Sequence, residues 1–473
     1  MATVLTETAA LASEAVPAPS GTPTAPTPRP QAGAHAVLQS IIARLAIIGV
    51  NAATGIVTAR ALAPHGRGEL SAIILWPVLL ANAMTLGLPS ALTYHTRRAQ
   101  HRRSDLIGTA LFIGLLVNIL SSVVAAIFLP RILHLYSPDV ILYARWFLLS
   151  APVGIFLQIA RAAFESHGDF AVSTKSQWLV PALTLSGLLA LLALHRLNPY
   201  TAAFAYVLNS LPVVVWITVK LWREFRPSFA RSVATSSVLL SYGIRSYGID
   251  LCGTLALYVD QALVVGLLHA EAMGTYVVAL SLSRLLNVLQ TSVVMVLFPK
   301  TVGLNVKDIV SLTGMAARVS TILTGALGIG VFLCGPFVLR FMYGREYVSA
   351  SAVLRVLVVE VILAGLTMVL AQAAMALGRP GIVAILQSIG LALTVPLMMF
   401  FIPRWGLLGA GWALLISTSC RLVFICLSFP RFLGCACPRL LISPADFQML
   451  IKTAVRIVPG AARFTPSHRT EVA

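Results

Sequence analysis

Charge is scarce in this chain of 473 residues. Charged residues make up 11% of it, hydrophobic residues make up 58%, and the mean hydropathy is +0.89. An ordinary soluble domain has about 25% charged residues, and a soluble fold of this size cannot hide so much apolar surface. The composition therefore excludes a water-soluble enzyme, a disordered protein and a fibrous repeat, and it predicts an integral membrane protein.

Acidic residues are scarcer still: 16 Asp and Glu stand against 34 Lys and Arg, so the formal net charge is +18. In a soluble protein such an excess points to nucleic acid. In a membrane protein it collects in cytoplasmic loops. Clusters such as Arg97–Arg103 and Arg223–Arg231 alternate with long apolar runs and fall on one side if the N-terminus is cytoplasmic. We therefore expect both termini in the cytoplasm and no nucleic-acid partner.

Signatures of metal binding and catalysis are also missing. The chain has six cysteines, and Cys435 and Cys437 form a C-x-C without the second pair or nearby histidine that would complete four ligands. No H-E-x-x-H pattern occurs, and no loop between apolar runs is long enough for a separate catalytic domain. The sequence predicts no metal site, no catalytic residue and no enzyme activity.

Long apolar runs fill most of the chain. About 20 apolar residues span a bilayer core, and the sequence contains twelve such segments at 36–58, 69–92, 106–129, 139–161, 175–195, 199–221, 238–266, 272–298, 313–337, 351–377, 381–403 and 406–428. The expected organisation is a disordered Pro/Ala/Thr-rich tail (1–35), a six-helix lobe (36–221), a basic cytoplasmic linker (222–237), a second six-helix lobe (238–429) and a basic cytoplasmic tail (430–473) with an amphipathic stretch, Asp446–Val458.

The two predicted lobes share short sequence similarities. Gly66–Leu70 resembles Ala272–Tyr276, and Ala202–Tyr206 resembles Gly409–Ala413, each pair six segments apart. Chance similarity between Ala-rich helices is the alternative. A duplication predicts an all-α membrane protein with twelve transmembrane helices in two lobes, related by a pseudo-twofold axis around a central cavity.

Ionisable side chains inside apolar segments are expensive and tend to face a cavity or a partner. Helical spacing places Arg44 and Asn51 on one stripe of the first segment. The seventh segment carries Tyr242, Arg245, Asp250 and Asp260, the eighth carries Arg284 and Asn287, and the tenth carries Glu360. Mutual neutralisation of these charges between helices is the competing interpretation. Arg421 stands alone in the twelfth segment, where we expect a snorkelling or lobe-internal role.

Arginine suits phosphate because its planar guanidinium gives parallel hydrogen bonds and stays charged when buried. The predicted residues for substrate binding and translocation are therefore Arg44, Asn51, Tyr242, Arg245, Arg284 and Asn287. The acids Asp250, Asp260 and Glu360 are candidates to couple H⁺ or Na⁺, and the sequence predicts no other cofactor.

Two stretches carry a resemblance to a known family: Thr58–Leu70 after the first segment, and Asp260–Leu263 followed by Gly274–Tyr276. On these stretches the chain resembles the Wzx-type flippases of the multidrug/oligosaccharidyl-lipid/polysaccharide superfamily, over about residues 36–430. The resemblance implies a transporter of the bacterial inner membrane that flips a polyprenyl-diphosphate-linked oligosaccharide by alternating access. It also implies a role in O-antigen or lipopolysaccharide synthesis, with membrane lipids and a polysaccharide polymerase or ligase as partners.

Two other functions fit parts of the sequence. A multidrug or cation antiporter of the same superfamily shares the fold. Such an antiporter requires acidic residues in the first lobe, where this chain has Arg44. A membrane glycan ligase or polymerase needs a sizeable external loop. Both therefore rank below the flippase.

Overall fold

The computed structural model describes residues 30–228 and 232–440. The described residues from Ile47 onwards pack together as one unit, and the described residues up to Ala46 belong to another. Within the described residues every regular element is a helix. The α-helices are α1 (Pro30–Ala83), α2 (Leu88–Arg98), α3 (Arg103–Ile132), α4 (Pro138–Phe147), α5 (Ala151–His167), α6 (Phe170–Ala193), α7 (Pro199–Leu208), α8 (Leu211–Phe225), α9 (Ser232–Leu267), α10 (Ala270–Arg284), α11 (Asn287–Thr301), α12 (Val306–Val338), α13 (Ser351–Ala376) and α14 (Pro380–Ser428).

Nine helices in the described ranges are long and apolar enough to cross a membrane, and α10 with α11, bent by 41° at their junction, makes up to ten. The chain is therefore a multi-pass membrane protein. The number is smaller than the twelve predicted segments because α1 and α14 each contain two of those segments.

Both long helices are interrupted. Ala63 inside α1 has φ 56° and ψ 177°, and Gly406 inside α14 has φ 55° and ψ −133°. Ala63 precedes Pro64, and a residue before proline is driven out of the helical region by the proline ring. A straight helix of 54 residues would be about 80 Å long, far more than the roughly 30 Å of a bilayer core.

Some observed helix ends differ from the predicted segment boundaries. Helix α1 already begins at Pro30, where the sequence predicts the end of the tail at 35. Helix α8 ends at Phe225 and α9 begins at Ser232, inside the predicted linker. The amphipathic stretch Asp446–Val458 lies outside the described residues, as does most of the N-terminal tail.

Packing follows the two halves of the sequence. In the first half, α5 contacts α2, α3, α6 and α8, around a core that includes Leu88, Ile107 and Phe164. In the second half, α13 contacts α10, α11, α12 and α14. Helix α9 packs against helices of both halves, because it contacts α14 in the second half and α2 and α3 in the first. It is therefore the main bridge between the halves.

Candidate functional site

Two glycines lie at a close backbone contact between the halves. A Cβ on Gly68 of α1 would lie 1.7 Å from the carbonyl oxygen of Ala270, and a Cβ on Gly274 of α10 would lie 1.9 Å from the carbonyl oxygen of Pro64. Each glycine thus faces the carbonyl group four residues before the other. This reciprocal pattern is typical of a contact about a twofold axis, and the two residues are the ones that the sequence similarity pairs.

Hydrogen bonds join the two halves next to Gly68 and Gly274. We call this region the Gly68 contact. The Tyr347 hydroxyl donates to the Ala59 carbonyl oxygen at 3.1 Å, and Tyr347 is 1% exposed. The Arg60 guanidinium donates to the Phe341 carbonyl oxygen. The end of the first part of α1 is thereby attached to the segment between α12 and α13.

A second contact between the halves, the Gly87 contact, lies further along the chain. Gly87 (φ 67°) connects α1 to α2, and its Cβ would lie 2.4 Å from the Gly243 carbonyl oxygen. The Tyr242 ring, a predicted translocation residue, stacks on the Tyr94 ring with centroids 4.3 Å apart. Tyr242 thus holds α9 against α2.

A small cavity of about 160 Å³ lies among α1, α7, α9 and α10. Its polar wall comes from Arg67, Ser71, Tyr206, Tyr258 and Gln261. The Arg67 Nε is buried and has no hydrogen-bond partner within the described chain. Sequence reasoning missed Arg67 because a charged residue between two apolar runs looks like a loop residue. The only signal for it was its position between Gly66 and Gly68.

Two predicted residues form an ion pair beside this cavity. Asp260 is 1% exposed, and its Oδ2 accepts hydrogen bonds from the Arg284 Nη2 at 3.2 Å and from the Tyr276 hydroxyl at 2.9 Å. The same Arg284 nitrogen donates to the Leu257 carbonyl oxygen at 3.2 Å. An isolated carboxylate at this depth would be costly, and the hydrogen bonds from the arginine and the tyrosine offset part of that cost.

Glu360 is connected to another arginine through a hydroxyl. The Thr418 Oγ1 donates to the Glu360 Oε1 at 2.7 Å and accepts from the Arg421 Nη2 at 2.7 Å. A Cβ on Gly390 would lie 2.6 Å from the Arg421 Cδ, so only glycine leaves room for this side chain. Arg421 therefore sits inside the second half, which is one of the two roles expected for it. Thr418 was not a candidate from the sequence.

The other predicted residues are not brought together by bonds. Arg245, Asp250 and Asn51 are exposed, and no hydrogen bond or ion pair joins their side chains to another residue of the described ranges. Asn287 is half-buried at the start of α11, where its backbone carbonyl accepts from the Thr291 hydroxyl. The backbone of Arg44 lies in α1, and its side chain lies outside the described part.

The fold matches solved membrane transporters. It superimposes on an inward-facing multidrug-resistance MATE transporter of the MOP superfamily with a TM-score of 0.67, at 17% identity over 83% of this chain and 98% of the other. The lipid II flippase MurJ in an inward closed conformation gives a TM-score of 0.73, at 13% identity over 91% of this chain and 94% of the other. An outward-facing MATE transporter gives 0.54, at 16% identity over 83% and 93%.

The sequence comparisons identify the family to which the chain belongs. An uncharacterized membrane protein of Methanocaldococcus jannaschii is 22% identical over 374 residues, which cover 73% of each chain. Residues 57–352, more than half of the chain, match the family described as polysaccharide biosynthesis protein. The chain belongs to this family, as its resemblance to polysaccharide flippases implied.

Proposed function

We propose that the chain is a flippase that moves a polyprenyl-diphosphate-linked oligosaccharide across the cytoplasmic membrane by alternating access. Its product would feed the synthesis of an O-antigen or a related polysaccharide, and a polymerase or ligase would act on that product. No step of this activity requires the chain to be an enzyme.

The proposal rests on which charged side chains of the membrane segments have partners and which do not. Two of the three predicted acids already have partners, because Asp260 binds Arg284 and Glu360 is joined to Arg421 through Thr418. The cations Arg67 and Arg245 have no side-chain partner among the described residues. Free guanidinium groups between apolar helices favour an anionic substrate, and a diphosphate offers them paired oxygens.

The proposed topology has twelve spans in two six-helix lobes. Breaking α1 at Ala63 and α14 at Gly406, and taking the bent pair α10 and α11 as one span, gives this number. An even number puts both termini on one side, which the basic segments indicate is the cytoplasm. The reciprocal contact of Gly68 with Gly274 supports the duplication. On this topology the Gly68 contact lies at the periplasmic side.

Alternating access then requires the Gly68 contact to open. The present conformation is closed there, and its fold superimposes better on the inward-facing MATE transporter than on the outward-facing one. Arg245 and Arg67, with Arg44, Asn51, Tyr242, Arg284 and Asn287, would line the path. The prenyl chain would remain in lipid.

Asp250 is the acid best placed to bind the coupling ion. It is the exposed member of the predicted acids and has no described partner, whereas Asp260 and Glu360 make internal bonds. H⁺ or Na⁺ binding at Asp250 would draw on the membrane potential, which supplies about 2.3 kcal/mol per charge at 100 mV. Asp260 and Glu360 would take part only if their bonds rearranged during transport.

A multidrug antiporter is the second candidate, since the MATE transporters have the same fold. Such a pump would bind a cationic drug through free carboxylates, and of the three predicted acids only Asp250 has no side-chain partner among the described residues. A membrane ligase or polymerase stays the least favoured function.

A vesicle assay tests the proposal. Purified protein is reconstituted with a fluorescent polyprenyl-diphosphate oligosaccharide, and its transbilayer movement is followed with a membrane-impermeant quencher. We expect movement with the wild type, and a rate at least tenfold lower with Arg245→Ala. Efflux of ethidium without movement of the lipid-linked sugar would identify a multidrug pump instead.

A further inference from the structure

A second and larger cavity lies far from the site described above. Its volume is about 830 Å³, and it is formed between the first turns of α12 and the segment Gly434–Arg439 that follows α14. A volume of this size falls within the range of small-molecule sites. We call it the α12 pocket.

The charged groups of the α12 pocket all have the same sign. Lys307, Arg318 and Arg439 line it, and no carboxylate does so among the described lining residues. The nearest acid along the chain, Asp308, is engaged at the start of α12, where the Asn305 Nδ2 donates to its carboxylate at 2.7 Å. The pocket is therefore a concave cationic surface.

Packing against α12 holds the segment that carries Arg439. A Cβ on Gly314 would lie 2.8 Å from the Pro438 Cβ, so the absence of a side chain on α12 lets the segment after α14 lie against it. The Arg318 Nη1 donates to the Arg439 carbonyl oxygen at 2.8 Å. This bond uses the backbone oxygen of Arg439, and the side chain of Arg439 is exposed.

The remaining wall is apolar, with Val306, Val310 and Pro438 among its residues. The pocket also lies where membrane spans end: α11 ends at Thr301, α12 begins at Val306, and the last span ends at Leu433. That level corresponds to the headgroups of a bilayer. A ligand that fits must combine an anionic group with apolar surface.

We propose that the α12 pocket binds the phosphate headgroup of an anionic phospholipid. Basic pockets at the cytoplasmic ends of membrane helices recognise such headgroups. The assignment to the cytoplasmic leaflet rests on the topology of the proposed function, but binding itself does not. Free inorganic phosphate and the polyprenyl diphosphate share the anionic chemistry, and the experiment separates them from the phospholipid.

The test uses the full chain in detergent and native mass spectrometry with phosphatidylglycerol or phosphatidylcholine. We expect retention of phosphatidylglycerol only, and binding about 25-fold weaker in the double variant Lys307→Gln/Arg439→Gln, since each basic residue contributes about a factor of five. The control is Arg340→Gln, an exposed arginine just beyond the other end of α12, which should bind as the wild type does.

Equal retention of both lipids, or an equal loss in Arg340→Gln, would overturn the proposal. Displacement by millimolar inorganic phosphate alone would identify a free-anion site, and displacement by polyprenyl diphosphate in preference to phosphatidylglycerol would assign the pocket to the transport substrate. Failure of the proposed flippase activity appears separately, in the vesicle assay, and leaves the lipid measurement intact.

Discussion

Gly68 and Gly274 pack backbone to backbone, each against the carbonyl group four residues before the other. The two glycines are also the residues that the internal sequence similarity pairs. A contact between equivalent positions of two repeats lies on their common axis. The Gly68 contact therefore supports the proposed duplication, and in the proposed transport cycle it would close one end of the path.

Alanine at either glycine should disturb this contact. We expect Gly68→Ala and Gly274→Ala to destabilise the protein by about 1–3 kcal/mol, the usual cost of overpacking, because the new Cβ would overlap a backbone oxygen. Gly55→Ala in α1 is the matched control, since nothing lies within 4 Å of its Cβ position. Thermal unfolding in detergent measures the stability of these three variants. Equal melting temperatures for Gly68→Ala and Gly55→Ala would show that the helices separate without cost.

Arg284 and Arg245 should behave differently when truncated. Arg284→Ala leaves the buried Asp260 without its cation and should cost about 3–5 kcal/mol of stability, part of which Asp260→Asn should restore in the double variant. Arg245→Ala removes no described bond, so stability should change by less than about 0.5 kcal/mol, while affinity for polyprenyl diphosphate should fall roughly tenfold or more. Melting curves and a binding titration distinguish the two. Loss of stability in Arg245→Ala with unchanged binding would contradict this assignment.

Thr418 should be needed for its hydroxyl. Thr418→Val removes both hydrogen bonds that join Glu360 to Arg421 and should destabilise the second half by about 1–3 kcal/mol, whereas Thr418→Ser should stay close to the wild type. Thr324→Val is the control, because that buried hydroxyl bonds only to the Ser320 carbonyl of its own helix. If the two valine variants have the same melting temperature, the hydrogen bonds that join Glu360 to Arg421 through Thr418 do not contribute to stability.

Asp169, which lies between α5 and α6, should make stability depend on acid pH. The hydrogen bond from Lys220 at 2.7 Å is the main cause that holds the pKa of Asp169 below its usual value. A lowered pKa in the folded state stabilises the protein above the unfolded pKa of about 3.9, and this contribution is lost as the pH falls through the folded pKa. Asp169→Asn keeps an oxygen that can cap α6. Its deficit in melting temperature should therefore shrink below about pH 4, and a deficit that is the same at pH 3 and pH 6 would rule the effect out.

Hydropathy predicts most of the fold because apolar runs and bilayer thickness set where helices can lie. It does not predict that Arg67 continues a helix, since a charged residue flanked by glycines looks like a turn. Helical periodicity places Asp260 and Arg284 on polar faces, yet it does not say that they pair. That depends on how α9 crosses α10. The same holds for Glu360, whose neighbour Thr418 comes from α14 and has no special signature in the sequence.

In the proposed transport cycle the halves separate at the Gly68 contact to move a lipid-linked glycan. With the six native cysteines replaced, Arg60→Cys and Phe341→Cys are joined by a short bismaleimide across this contact, and flipping is measured in vesicles. The control pair is Ala126→Cys with Arg145→Cys, where Arg145 donates to the Ala126 carbonyl within the first half at 3.0 Å. We expect flipping to stop when residues 60 and 341 are crosslinked and to continue when the control pair is crosslinked. Wild-type flipping by that crosslinked protein would contradict it.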